Sequence, residues 1–355
     1  MVRSAKDGTC LASLVAMAIP SCQEAEQRWP RTGPGRRPEI PDWAMAVLIM
    51  VVVAKKKKSK SAQYRYLAQH RSWLQGWLKI SRFPSRTTYF ERYRRAYILL
   101  EKAIRVQGEE AIHSGVVKGQ CVAVDKSLLT SRGRLWHQRD RRRGIVPPRV
   151  DVESTWSYSK HHGWVQGYSY EVLVTADKQG PVWPLLASVD PAHWREYRTF
   201  PKKISQLPES ARYVLADAGY DSNAHGESVE WDESGRRTGR RFLCAMQGRQ
   251  RESVSVKPWR ETRTRRQHRL LRERRRNHNS TPRARKLYAR RSTTVEPFNE
   301  WLKCLFDLHN TVWHYGLNNN RTQILAAIFT YQLLLRYNWR QGKHDNQVHW
   351  ILDTL

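Results

Sequence analysis

Residues 120–129 read QCVAVDKSLL, and residues 212–220 read RYVLADAGY. In each, a short aliphatic run leads into an aspartate, Asp125 in the first and Asp217 in the second. Runs of this length and composition predict buried strands. Both aspartates are therefore expected at strand ends, on the edge of a sheet. A carboxylate beside a hydrophobic strand is costly unless it meets a cation. The plainer alternative is that each caps a turn.

Outward from these two strings the texture stays strand-like. GRLWH (133–137) predicts a second strand. YSYEVLVTA (168–176) predicts a third, with Tyr170, Val172 and Val174 alternating onto one face, and RRFLCAM (240–246) predicts another. Helical patterns interleave around 194–206 and 293–309. Strands followed by helices, with acidic residues at strand ends, predict an α/β or α+β catalytic domain. In STTVEPFNEWLKCLFDL (292–308), Val295, Phe298, Leu302 and Leu305 trace a buried helical stripe. Glu296 and Lys303 lie seven positions apart on one face, about two turns or ~10 Å from each other. That pair could hold a metal and grip a phosphate together. The alternative is a solvated edge on which Glu300 and Lys303 form a routine pair.

Upstream, residues 42–110 are patterned for helices. WAMAVLIMVVVA (43–54) is too short for a membrane span of about 20 residues and predicts a buried core helix. SAQYRYLAQH (61–70) and SWLQGWLKI (72–80) follow. Ser85 then caps RTTYFERYRRAYILLEKAI (86–104), read as one helix with Tyr89, Tyr93, Tyr97 and Leu100 at helical spacing. Arg86, Arg92, Arg94 and Arg95 line that helix. A short helix, a turn and a basic helix suit a major-groove reader; an ordinary solvated face is the equal alternative. PRTGPGRRPEIP (30–41) sets apart the first thirty residues, where CLASLVAMAI (10–19) reads as a short helix or a signal-peptide core. The expected divisions are an extension and linker at 1–40, a helical DNA-binding region at 41–117, a catalytic domain at 118–335 and a tail at 336–355. A basic insertion falls at about 223–287.

Charge narrows the partner. Lys and Arg number 63 against 32 Asp and Glu, a formal net charge of +31. The commonest polyanion that matches such a charge is nucleic acid, through release of condensed counterions; an anionic membrane surface is the rival. RETRTRRQHRLLRERRRNHNSTPRARK (260–286) is the most basic stretch and stands just before Glu296. Fifteen Trp and fifteen Tyr argue against simple disorder. Trp136, Trp156 and Trp164 read as core residues first and as base-holding platforms second. The five cysteines show no zinc or CxxC spacing, which suits a reducing cytoplasm.

Asp125, Asp217 and Glu296 together match the needs of in-line phosphoryl displacement, where carboxylates hold two divalent ions. Hard oxygen ligands favour Mg²⁺ or Mn²⁺ over zinc. His137, His161 and His162 are then surface or DNA-facing groups. Asp221, after the Gly219-Tyr220 turn, ranks below Asp217 as a ligand.

The strings VAVDKSLL (122–129) and VLADAGYDS (214–222), with Tyr288, Arg291, Glu296 and Lys303, resemble the insertion-sequence DDE transposases that carry a Tyr-Arg-Glu-Lys signature. The chain departs from that signature by one extra residue between Arg291 and Glu296. The resemblance implies a ribonuclease-H-like mixed sheet flanked by helices, closed by an apolar helix at 321–335. It implies Asp125, Asp217 and Glu296 as catalytic metal ligands, and Tyr288, Arg291 and Lys303 as DNA contacts. It also implies Mg²⁺, double-stranded DNA (terminal inverted repeats and target), a homodimer on DNA, and a cytoplasmic, nucleoid-associated protein. The rivals are a structure-specific nuclease of the same core and a non-catalytic DNA-binding derivative.

Overall fold

The computed structural model describes residues 4–31, 38–159, 163–245, 263–309 and 311–355. Six helices come first: α1 (Ser4–Arg28), α2 (Asp42–Ala54), α3 (Lys60–Gln69), α4 (Arg71–Leu78), α5 (Arg86–Tyr93) and α6 (Tyr97–His113). Next come β1 (Cys121–Thr130), the short α7 (Gln138–Arg142), β2 (Thr155–Ser159), β3 (Gly163–Thr175) and β4 (Pro184–Pro191). Two single-turn helices, α8 (Glu196–Thr199) and α9 (Pro201–Ile204), lead to β5 (Tyr213–Ala216), α10 (Asn223–Glu230) and β6 (Arg241–Cys244). The described chain ends in α11 (Arg263–Asn279), α12 (Pro282–Tyr288), α13 (Val295–Leu305), α14 (Leu317–Arg340) and α15 (His349–Asp353).

The strands form one mixed sheet in the order β2-β3-β1-β5-β6, with β4 also paired to β3. β3 runs antiparallel to β1, β2 and β4, while β5 runs parallel to both β1 and β6. This mixed α/β arrangement is compatible with a ribonuclease-H-like core. β3 is long enough to pair with β2 through Gly163–Gly167 and with β4 beyond it. Its Tyr168–Thr175 stretch is buried on both faces, and the polar Ser169, Glu171 and Thr175 within it are buried with the rest.

α2 is apolar all round and buried from Ala44 to Ala54, as a helix of that composition has to be. It packs against α1, α6 and α14, and α6 and α14 in turn cover β4. α1 is longer than the short helix expected at 10–19, and its Cys10, Leu14, Ala18 and Cys22 enter the same core. α14 likewise exceeds the expected 321–335, with residues 322–335 all buried. No helix among the described residues is long and apolar enough to cross a membrane.

Three expectations are corrected. GRLWH is not a strand: it makes a single bridge, Arg134 to Val150, and Leu135 faces solvent. Gly133, at φ 97°, turns the chain where a Cβ would strike the Arg149 carbonyl at 2.1 Å. The helix read over 86–104 is broken at residues 94–96 into α5 and α6. There the Thr322 hydroxyl donates to the Tyr93 carbonyl (2.6 Å) and accepts from the Tyr97 amide (3.1 Å), so a side chain from α14 occupies the rung that would join the two helices. Finally, Asp125 lies within β1, not at its end, because β3 pairs with β1 as far as Thr130.

Candidate active site at the end of the parallel strands

β5 accompanies β1 only from Cys121 to Ala123 and then stops, and Asp217 follows its last residue, Ala216. Asp125 is thus two residues beyond the parallel pairing, in the region that β5 has vacated. Its register partner on β3 is Val172, and α13 packs over β1. Both carboxylate oxygens are held. Arg291 Nη2 donates to Oδ1 at 2.7 Å, and Asn299 Nδ2 donates to Oδ2 at 2.8 Å. Burial pushes the Asp125 carboxyl up to about 6, Arg291 pulls it back, and the nearby charge of Asp217 pushes it higher.

Asp217 caps the 3-10 turn Ala218–Tyr220, with Oδ1 accepting from the Gly219 amide at 2.9 Å. Its carbonyl accepts from Cys244 Sγ on β6 at 2.8 Å. Tyr220 is buried against Phe200 and donates to Glu171 at 2.8 Å, which anchors the turn beneath the sheet edge. A Cβ placed on Gly219 would stand 3.1 Å from Asp217 Oδ1 and 3.6 Å from the carboxyl carbon of Glu196. The absent side chain therefore keeps open a space flanked by two carboxylates. Asp221 is 1 % exposed and pairs with Arg275 at 3.3 Å, so it serves the fold.

Glu296 opens α13, whose Val295, Phe298, Leu302 and Leu305 are buried as the stripe predicts. The residues between Arg291 and Glu296 form a tight turn in which Thr294 Oγ1 donates to the Arg290 carbonyl at 2.7 Å. The turn absorbs the extra residue, and Arg291 Nη1 donates to Glu296 Oε1 at 2.7 Å. Arg291 therefore bridges Asp125 and Glu296. Burial opposes its charge, but Asp125 and Asp217 outweigh it, and its pKa is raised. Tyr288, at the end of α12, is half-buried, and burial raises its phenol pKa. Lys303 is buried, and its Nζ donates to Glu300 at 3.1 Å, the pair that a simple helix edge predicts.

The N-terminal arginines differ among themselves. Arg92 donates to the Ile40 carbonyl and pairs with Asp42, tying α5 to the start of α2. Arg86 is exposed, stacks over Phe90 at 5.3 Å and donates to Ser61. Arg94 and Arg95 are exposed in the α5–α6 turn. Trp164 and Tyr158 form an exposed edge-to-face pair on β2 and β3, so Trp164 is not a core residue. His137 is exposed, and His161 and His162 lie outside the described residues.

Sequence reading passed over Asn299 and Glu196. Asn299 sits one turn after Glu296 on α13, and that i+3 spacing was the available signal. Glu196 leaves no such signal, because only the fold brings α8 beside Gly219.

Asp125, Asp217 and Glu296 are hard oxygen donors suited to Mg²⁺ or Mn²⁺, and Gly219 leaves room beside Asp217. Among the described residues, no three His, Cys, Asp or Glu side chains are yet arranged to hold one ion. Arg291 spans the gap between two of them. No curated protein matches the chain. The transposase DDE domain model matches residues 118–333, more than half of the chain and a span that contains Asp125, Asp217 and Glu296, and the chain belongs to that family.

Proposed function

We propose that the chain is a DNA transposase that cleaves element ends and joins the freed 3′-hydroxyl to target DNA, with Asp125, Asp217 and Glu296 as its metal ligands. The observation that carries this reading is the bridge through Arg291. It gathers Asp125 and Glu296, 171 positions apart in sequence, beside the turn that presents Asp217.

Two divalent ions bound by these carboxylates would activate the attacking oxygen and stabilise the leaving one. The chain's own groups prepare that site. Asn299 fixes the Asp125 carboxylate, and the Gly219 amide fixes Asp217. Arg291 holds Asp125 and Glu296 together and must release them before they can share an ion. A DNA phosphate is the natural acceptor for the released guanidinium, which binds phosphate in a bidentate fork. Tyr288 and Lys303 line the same segment, and Tyr288 is suited to stack on an unpaired base. Of the four arginines at 86–95, Arg86, Arg94 and Arg95 are exposed and can reach the DNA backbone. The pairing of Arg92 with Asp42 assigns it a structural role.

In the first step, water attacks the phosphorus at the element end, the 3′-oxygen leaves, and it takes up a proton as the free hydroxyl. In the second, that hydroxyl attacks a target phosphodiester. A new phosphorus–oxygen bond forms and the target's own 3′-oxygen departs. Two ends must meet in one complex, so a homodimer on paired inverted repeats is part of the proposal. The test is Mg²⁺-dependent cleavage and joining of the terminal repeats by wild type and Glu296→Ala. Equal product from both overturns the reading; nicked but never joined DNA assigns a nuclease instead.

A further inference from the structure

α11 carries a charge density that the catalytic site does not explain. Its sequence, RTRRQHRLLRERRRNHN, holds eight arginines and one glutamate. One side of the helix is docked. Arg275 donates to the Ser222 carbonyl at 2.8 Å and to Asn223 Oδ1 at 2.6 Å, and pairs with Asp221 at 3.3 Å. Asn223 Nδ2 donates to the His268 carbonyl, and Asn279 donates to the Cys244 carbonyl. Gly226 on α10 makes room, since a Cβ there would stand 3.1 Å from Arg275 Cδ.

The other side is open. At about 100° per residue, Arg266, Arg269 and Arg276 fall within an arc of about 80°, roughly 100° to 180° around the helix from Arg275. All three are exposed. Arg269 pairs with the exposed Glu273 at 3.6 Å, a contact that salt readily screens. From Arg266 to Arg276 the helix rises about 15 Å, comparable with about four phosphates along one strand of duplex DNA.

The docking contacts place this row in register with the catalytic turn. Asp221 and Ser222 lie only a few residues beyond Asp217, and Cys244, whose carbonyl receives Asn279, gives its thiol to the Asp217 carbonyl. We infer that α11 is a DNA-backbone cradle, keyed to the Asp217 turn through the buried Asp221–Arg275 pair, so that duplex DNA held by its outer arginines is set against the site. The inference rests on the DNA-acting reading and adds the surface that holds the duplex.

The outer arginines contact phosphates and carry no sequence information, whereas Arg275 is structural. The test follows binding of the full chain to a fluorescent duplex across a salt series. Substituting Arg266, Arg269 and Arg276 together by Gln should leave the circular dichroism unchanged. It should flatten the slope of log affinity against log salt by about 2.7, roughly 0.9 per lost phosphate contact, for every duplex sequence alike. Asp221→Asn leaves those arginines in place but strips Arg275 of its charged partner. Amide exchange in α11 should then quicken and duplex affinity fall. An unchanged slope in the triple variant overturns the assignment, as does tighter binding of an RNA duplex than of DNA at equal salt. The assay reads no chemistry, so its failure leaves the catalytic reading standing. Equal cleavage by wild type and Glu296→Ala would sink that reading without touching this one.

Discussion

Asn299 Nδ2 donates to Asp125 Oδ2 at 2.8 Å, across a sequence separation of 174 residues. Asn299 is itself 5 % exposed, and among the described residues its Oδ1 has no hydrogen-bond partner. An amide buried in this half-used state holds the carboxylate in one orientation, and its removal frees Asp125 to rotate. Partners that orient a metal-binding carboxylate typically contribute 10- to 100-fold to affinity or rate. Asn299→Ala is therefore expected to weaken Mn²⁺ binding and slow single-turnover cleavage by about 10- to 100-fold. Asn299→Asp, which sets a second carboxylate against the first, should bring a larger loss. A folded Asn299→Ala protein with the wild-type Mn²⁺ titration and cleavage rate would remove Asn299 from the site.

Gly219 offers a test by steric filling. It is exposed, and its backbone is not in the left-handed region, so Ala is tolerated on conformational grounds. The added Cβ meets Asp217 Oδ1 at 3.1 Å, closer than ordinary contact, and the carboxylate has to move by a few tenths of an ångström. Gly219→Ala should leave the melting temperature nearly unchanged and still lower cleavage, because misplacement on the order of 1 Å can cost about 100-fold in rate. Gly219→Val should cost more. A loss of stability that accounts for the whole loss of activity would refute the steric argument.

Much of the site was legible because it is written locally. Asp217 follows YVLA directly, and the stripe of Val295, Phe298, Leu302 and Leu305 fixes which way α13 faces. What sequence could not show depends on pairing between distant segments. Asp125 looked like a strand end because the apolar run stops there, yet β3 carries β1 on to Thr130. The helix over 86–104 looked continuous, and only the hydroxyl of Thr322, more than 200 residues away, breaks it. β4 was hidden because Pro184 and Ser188 interrupt its apolar run, and it is held by β3 on one side and by α6 and α14 packed over it. The bridge that Arg291 makes between Asp125 and Glu296 was hidden in the same way. A spacer one residue longer than the usual signature drew attention, whereas the turn that absorbs it exists only in three dimensions.

The buried pair of Lys203 and Glu171 supplies a stability prediction separate from catalysis. Glu171 is 1 % exposed and accepts from Lys203 Nζ, from Thr199 Oγ1 at 2.8 Å and from Tyr220 at 2.8 Å. Its three donors hold α8, α9 and the turn after Asp217 to β3. Removing one member of such a pair strands the other charge at a cost of about 3–5 kcal/mol, whereas replacing both can be neutral. Lys203→Met should therefore destabilise the protein strongly in urea, and Glu171→Gln/Lys203→Met should recover most of the loss. If the double variant is no more stable than Lys203→Met, the stranded carboxylate is not the cause.

His314 gives the protein a stability that depends on acid. It is 5 % exposed, stacks edge-on against Tyr93 at 5.2 Å, and its Nε2 lies 3.0 Å from the Tyr93 hydroxyl. Burial, reinforced by the positive charges of Lys60 and Arg132, pushes its pKa down to about 3. In the unfolded chain the same imidazole titrates near 6.5. Between those values the unfolded chain binds a proton that the folded chain does not, so stability falls as pH falls. The contribution of the neutral ring is complete above about 6.5 and is lost progressively toward 3. His314→Gln has no such proton to bind. The stability gap between wild type and this variant, measured by urea midpoints at several pH values, should therefore narrow steadily below pH ~6.5. Parallel curves over that window would show that His314 is already protonated in the fold, or that its ring is not buried there.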